Sequence, residues 1–308
     1  MGFTKIFSNS WDLYWKNSSI LMILTFVLSV IPSILVTIFA TSSQVAVKDR
    51  FVTVENIEQL SSYFASYISI WMLVAILVAV LGFILSLCLI NYVKEKDKGK
   101  TLDFMGAISG GLKHFWPGLA LTIVITIIFI FLSLLLLIPF ALYPTIGTAG
   151  TVILTIICAL PLIYLGILWS FALYALVMED TGIMASINRS KELVAKRWWT
   201  VFGYMLLFTI ILGLIGMVVG LISLAIFGTP TTYVSAGQYT INKTATIGQN
   251  VLTALMTLFT VPFSIIFMKK FYDRLNYLNN PKEKNVPKKI MKKKIVKKKK
   301  VKESKSEF

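Results

Sequence analysis

Residues 118–142 read GLALTIVITIIFIFLSLLLLIPFAL, twenty-five positions without a single Lys, Arg, Asp, Glu or His. A helix of about 20 residues crosses a hydrocarbon core, and within that core backbone polar groups must be satisfied internally, which leaves helices and closed barrels as the spanning structures. A run that is apolar almost throughout lacks the polar alternation of a barrel strand, so it predicts a transmembrane helix. Five more stretches share its character, at 20–40, 67–91, 150–178, 201–227 and 248–268, and none of them holds an ionisable side chain. Every connection except 143–149 does. The fold class this predicts is an all-α integral membrane protein with six transmembrane helices.

Composition agrees. Over 308 residues the apolar fraction is 56% and the charged fraction 14%, against roughly 25% charged in soluble domains, and the mean hydropathy is +0.79. The net charge of +16 would suggest a nucleic-acid partner in a soluble chain. Here its distribution argues otherwise. Segments 1–19, 92–117, 179–200 and 269–308 hold 27 of the 30 Lys and Arg residues, and the alternate segments 41–66, 143–149 and 228–247 hold three. The positive-inside rule then predicts cytoplasmic N- and C-termini in a cell membrane. Without the final segment the division is still 11 against 3. The first span is longer than a signal-peptide core, contains Pro32 and follows a segment bearing Asp12, so it reads as a retained helix. Cys88 and Cys158 fall at depths differing by roughly 25 Å at 1.5 Å per residue, beyond the reach of a disulfide.

Before each outward-running span stands a short amphipathic segment that ends in aromatics. Phe3, Ile6, Phe7, Trp11 and Tyr14 form the first; Leu102, Met105, Ile108, Leu112 and Phe115-Trp116 the second; Ile183, Ile187, Val194 and Trp198-Trp199 the third. Their spacing of three, four and seven predicts three helices in the cytoplasmic membrane interface. Ser10, Asp12, Leu13 and Lys16 align without a gap to Ser190, Glu192, Leu193 and Lys196. The pattern predicts a threefold internal repeat of interfacial helix, outward span, external loop and inward span. Residues 1–275 would form the membrane domain. Residues 276–308, with Pro281, Pro287 and successive Lys runs, would form a disordered cytoplasmic tail. Such a tail suits anionic lipid headgroups, each basic residue near the surface adding about 1 kcal/mol; RNA contact is the lesser reading, since no aromatics interleave the lysines.

Individual residues carry weaker signals. Glu179-Asp180 reads either as an acid/base or metal pair, or as a helix start in which Asp180 or Thr181 caps the segment beginning near Gly182, with Glu192 supporting Lys196 one turn on. The second reading is the ordinary one. His114 is the lone histidine, has no carboxylate near it in sequence, and reads as a surface residue. Pro32, Pro139, Pro161 and Pro262 disturb their spans. Gly216 and Gly220 have the spacing of close helix packing, within the chain or in a homodimer. Asn242-Lys243-Thr244 has the form of a glycosylation acceptor, a form that Asn17-Ser18-Ser19 and Asn188-Arg189-Ser190 share on the opposite side. No catalytic, cofactor-binding or metal-binding set emerges. The absence of ionisable groups from the spans also argues against proton coupling through the core.

The run Glu179-Asp180-Thr181-Gly182-Ile183, Ser186 through Leu193, Arg197-Trp198-Trp199 and Phe202-Gly203, with Ser10-Trp11-Asp12-Leu13-Tyr14 and Phe271-Tyr272-Asp273-Arg274 at the ends, resembles one membrane-domain superfamily. It is similar to the membrane domain that precedes the catalytic domain of glycerophosphoryl diester phosphodiesterases, and to stand-alone multi-pass proteins of the YciC-like group. The resemblance covers about 1–275 and implies the fold. It does not imply the hydrolase, because nothing after the sixth span reads as a catalytic barrel. A non-enzymatic membrane or scaffold component binding lipid or a partner protein is thus the leading expectation. A transporter of an uncharged or lipidic solute comes second, and an intramembrane enzyme third.

Overall fold

The computed structural model describes residues 2–38, 57–100, 102–229, 231–234 and 238–279. Six helices are long and apolar enough to cross a membrane. In chain order the elements are α1 (Phe3–Lys16), α2 (Ser18–Ile38), α3 (Ile57–Asp97), α4 (Phe104–Leu112), α5 (Phe115–Ala141), α6 (Tyr143–Leu168), α7 (Ala172–Glu179), α8 (Ile183–Ala195), α9 (Trp198–Phe227), β1 (Thr231–Val234), β2 (Gln238–Ile241) and α10 (Lys243–Asn279). The fourth span runs through α6 and α7 together, Tyr143–Glu179. Helices therefore stand at all six expected spans and at all three short segments before them. An antiparallel hairpin pairing Thr231 with Ile241 adds one small sheet to an otherwise helical chain. Its β-branched and aromatic residues suit a strand better than a helix.

Two prolines sit one turn after a departure from regular α-helical winding. A proline ring collides with the carbonyl four residues back. For Pro32 that residue is Leu28, inside the π-helical turn Phe26–Val30; for Pro139 it is Leu135, inside the 3-10 turn Leu134–Leu136. Pro161 and Pro262 lie within continuous helix. Gly147 turns the chain at the start of α6 with φ 65°, a conformation that side chains other than glycine rarely adopt.

Between α6 and α7 the helix breaks at Trp169–Phe171, and Ser190 staples the break. Its hydroxyl donates to the Leu168 carbonyl at 2.8 Å and accepts from the Phe171 amide at 3.2 Å. The aligned residue Ser10, equally buried, instead donates to Ile6 in its own helix at 2.8 Å.

Buried side chains gather toward one end of the bundle, in Leu85–Val93 of α3, in Phe171 and Ala172–Val177 at the start of α7, and in Phe263–Leu275 of α10. The opposite halves of α3, α5, α6 and α9 expose Ile, Leu, Val and Phe along most of their length. Most described Asp, Glu, Lys, Arg and His residues lie toward the packed end, 14 Lys and Arg against 8 Asp and Glu, while Glu58 of α3 and Lys243 of α10 stand at the opposite ends of their helices. The packed end is thus the charged end.

Helix α1 runs antiparallel along α10. Phe3, Phe7 and Trp11 meet Phe267, Phe263 and Phe259 at ring-centroid distances of 5.6, 5.2 and 5.8 Å. Four-residue steps on both helices keep the rings in register, and each such pair contributes about 0.5–1.5 kcal/mol beyond burial. The apolar face expected to rest on lipid thus has a protein partner. Phe267 also stacks on Phe208 of α9 at 4.0 Å.

Gly216 has only the Met256 methyl nearby, and Gly213 and Gly220 face open space. The close intramolecular packing expected of Gly216 and Gly220 is therefore not made, because α9 meets α10 through rings such as Phe208. Close approach occurs instead at Gly110 and Gly111 of α4. Helix α10 continues to Asn279, beyond the expected boundary at 275, because its last turn docks on α8: the Asn279 amide donates to the Glu192 carbonyl at 3.2 Å. The Lys-rich segment beyond it lies outside the described residues. Asn242 accepts from the Ala245 amide at 3.1 Å and so caps α10.

Candidate functional site

Helices in lipid gain no hydrophobic stabilisation from one another, so packing and polar contacts decide how they associate. At the charged end those polar contacts form three linked clusters. The first centres on Asp180, which ends α7 in the left-handed region at φ 53° and ψ 41°. Asp is among the few residues other than glycine that adopt this conformation routinely. Its carboxylate accepts from Lys94 Nζ of α3 at 2.8 Å and from His114 Nε2, at the start of α5, at 2.8 Å. Lys94 also donates to the Val177 carbonyl at 2.5 Å. His114 Nδ1 stands 3.2 Å from the Gly110 carbonyl. Both ring nitrogens thus face oxygen atoms.

The second cluster centres on Glu179, whose Oε1 accepts from Arg189 Nε of α8 at 3.0 Å and from the Tyr272 hydroxyl of α10. Arg189 reaches Glu192 at 3.4 Å and Asn276 at 2.6 Å. In the third, Lys269 of α10, 2% exposed, is held by Asp97 of α3 and by Asp273 at 2.7 Å, while Lys270 reaches Asp97 at 3.0 Å. Together the clusters tie α3, α5, α7, α8 and α10 at a common level.

Several sequence-based expectations change here. Asp180 and Thr181 do not cap α8. Its N-cap is Gly182, without a side-chain cap bond, and Thr181 bonds the Ser186 hydroxyl at 2.8 Å. Asp180 is unavailable because its carboxylate is turned toward Lys94 and His114. Glu192 pairs with Arg189 on its own helix, where the expected partner was Lys196. His114 is buried, not a surface residue, and its carboxylate comes from 66 residues away. One signal was available: Lys94, His114 and Asp180 each stand at the end of a span, on the side where the positive charges collect, and so share a depth. Among the described residues no three His, Cys, Asp or Glu side chains converge as a metal site requires. Cys88 is buried and Cys158 partly so, and both are free.

Burial pushes the Asp180 carboxyl up, but the hydrogen bonds from Lys94 and His114 outweigh it and hold the group below its ordinary value of 3.8. A carboxyl depressed in the folded state contributes stability that is complete above its unfolded pKa and lost as the pH falls through the folded one. The difference in thermal midpoint between the wild type and Asp180→Asn should therefore be widest above that value and close below it. The side chain is 62% exposed, so screening keeps the difference modest. A difference independent of pH would contradict the pairing.

Six helices long and apolar enough to cross a membrane, four of them tied together at one end by ion pairs, fit an integral membrane protein of the multi-pass class. Residues 111–275, which include His114, Glu179, Asp180, Arg189 and Lys269, match a family described as a domain of unknown function (DUF7847), and the chain belongs to that family. No curated protein and no solved structure matches it.

Proposed function

We propose that this protein is a non-enzymatic component of the cell membrane, with both termini in the cytoplasm, whose charged end associates with anionic lipid headgroups. The observation that carries this reading is the concentration of charged side chains toward one end, 14 Lys and Arg against 8 Asp and Glu, while the apolar spans carry none. Inward-facing cations meet the negative surface potential of the cytoplasmic leaflet. Trp116 and Trp199, at the starts of α5 and α9, are exposed at the same end, where amphipathic rings suit the headgroup layer. Met105 on α4 and Met184 on α8 are exposed there too, which supports a position in the interface for these helices. The Lys-rich segment past Asn279 would add to the attraction. The alignment of Ser10 with Ser190, both buried, supports a repeat, and the resemblance to phosphodiesterase membrane domains belongs to the same reading.

Orientation is tested by cysteine labelling in a background without Cys88 and Cys158. A membrane-impermeant maleimide should modify Thr229→Cys in intact cells and Lys98→Cys only after permeabilisation; the reverse pattern overturns the topology. Association is tested by extracting the full chain from vesicles of phosphatidylcholine and phosphatidylglycerol in known proportion. The purified protein should retain phosphatidylglycerol above its bulk fraction, and deletion of 280–308 should lower that excess. No enrichment defeats the lipid reading. Uptake of a neutral solute into these vesicles, lost on replacing Pro32 and Pro262, would put transport in its place.

A further inference from the structure

At the charged end α1 and α10 enclose a cleft of about 490 Å³, within the roughly 300–1,000 Å³ of small-ligand sites. Lys5 and Asn9 of α1 line one wall, and Lys270, Asp273, Arg274 and Tyr277 of α10 the other. The aromatic ladder beside it fixes the distance between the walls. Asp273 is occupied by Lys269 at 2.7 Å, and Lys270 donates to both carboxylate oxygens of Asp97 at 3.0 and 3.3 Å. Arg274 differs from them. Its guanidinium lies 5.3 Å from the Tyr277 ring centroid, and its Nε is buried without a hydrogen-bond partner. The guanidinium makes no ion pair with the cleft's carboxylate, and its planar fork of N–H groups matches phosphate oxygens as well as it matches carboxylate. The one carboxylate in the cleft is already taken by Lys269.

We infer that this cleft binds a phosphate group, with the Arg274 guanidinium as the directional donor and Lys5 and Lys270 adding charge. Basic pockets between helices on the cytoplasmic side are suited to lipid headgroups, and Lys270 stands just past the expected end of the last span, where phospholipid phosphates lie. The ligand is thus the phosphate of an anionic phospholipid or free phosphate. The inference rests on the lipid-associated reading and deepens it, by placing a discrete site in the folded domain and not in the Lys-rich segment.

The test uses the full chain in phosphatidylcholine nanodiscs, with dioctanoyl phosphatidylglycerol and inorganic phosphate as separate probes and calorimetry as the readout. Lys5→Gln/Arg274→Gln should weaken binding of the short-chain lipid about tenfold, with Arg274→Lys losing less and all variants keeping the wild-type melting profile. Lys191→Gln/Lys196→Gln, which removes the same charge at α8, and deletion of 280–308 should each change it by less than about twofold. Inorganic phosphate binding as tightly and failing on the same variants would identify free phosphate as the ligand; weak binding would identify the lipid. Equal losses in the α8 control, or unchanged affinity in Lys5→Gln/Arg274→Gln, overturn the site. The outcome is separable from the broader reading, because retention of phosphatidylglycerol by wild-type protein persists if only the cleft is wrong.

Discussion

Gly111→Val is expected to destabilise the protein by about 3 kcal/mol, near the upper end for overpacked cores, and to do so more than Gly110→Val. Helix α4 lies on α3 with backbone against backbone. A Cβ at Gly111 would stand 2.6 Å from the Cα of Cys88 and 2.7 Å from its amide nitrogen, and neither atom can move without the helix. A Cβ at Gly110 meets the side-chain amide of Asn91, which can rotate away. The difference separates a rigid contact from a yielding one, and melting midpoints in one detergent measure it. Because the Gly110 carbonyl faces His114 Nδ1 and the Gly111 carbonyl accepts the His114 amide at 3.0 Å, lifting α4 also displaces His114 from Asp180. Equal effects at the two positions would mean that α4 does not seat on Cys88.

Asp97→Asn/Asp273→Asn should cost about 3–5 kcal/mol, the range for leaving a buried charge without its partner. Lys269 is 2% exposed and both of its ion-pair partners are carboxylates, so the double change leaves an ammonium group with amides only. Adding Lys269→Met removes the stranded charge and should recover most of the loss, since a buried pair replaced by apolar side chains is often neutral. Failure of Lys269→Met to rescue would show that the carboxylates act through something other than Lys269. Lys270, 23% exposed, can turn to water and should contribute little.

Much of the helical plan could be read from residues 118–142 and their counterparts, because a lipid-spanning segment declares itself by composition alone. What composition does not encode is which helix lies beside which. Asp180 and His114 read separately as a helix cap and a surface residue; their pairing depends on α5 and α7 ending side by side, and no local pattern states that. The partner of α1 was closer to legibility. Phe259, Phe263, Phe267 and Phe271 recur every fourth residue, and so do Phe3, Phe7 and Trp11, a match that becomes informative once both helices are assigned. Gly216 and Gly220 point the other way: the spacing permits close approach, but no described residue takes it up. The cleft between Lys5 and Arg274 was hidden for the same reason as the ion pairs, since its walls come from opposite ends of the sequence.

The ladder between α1 and α10 also sets an order of events during biosynthesis. Phe7 and its partner Phe263 are separated by most of the chain, and at a synthesis rate of about 5–20 residues per second roughly 10–50 s pass between the appearance of one and the other. Through that interval α1 lacks the surface of α10, and of its ladder only Phe3 has an earlier partner, Tyr204 of α9 at 5.6 Å, so Phe7 and Trp11 rest on the bilayer or on the insertion machinery. Its transfer to α10 is therefore the closing step of assembly, and a ribosome stalled before residue 259 would hold a protein whose first helix has not yet been received.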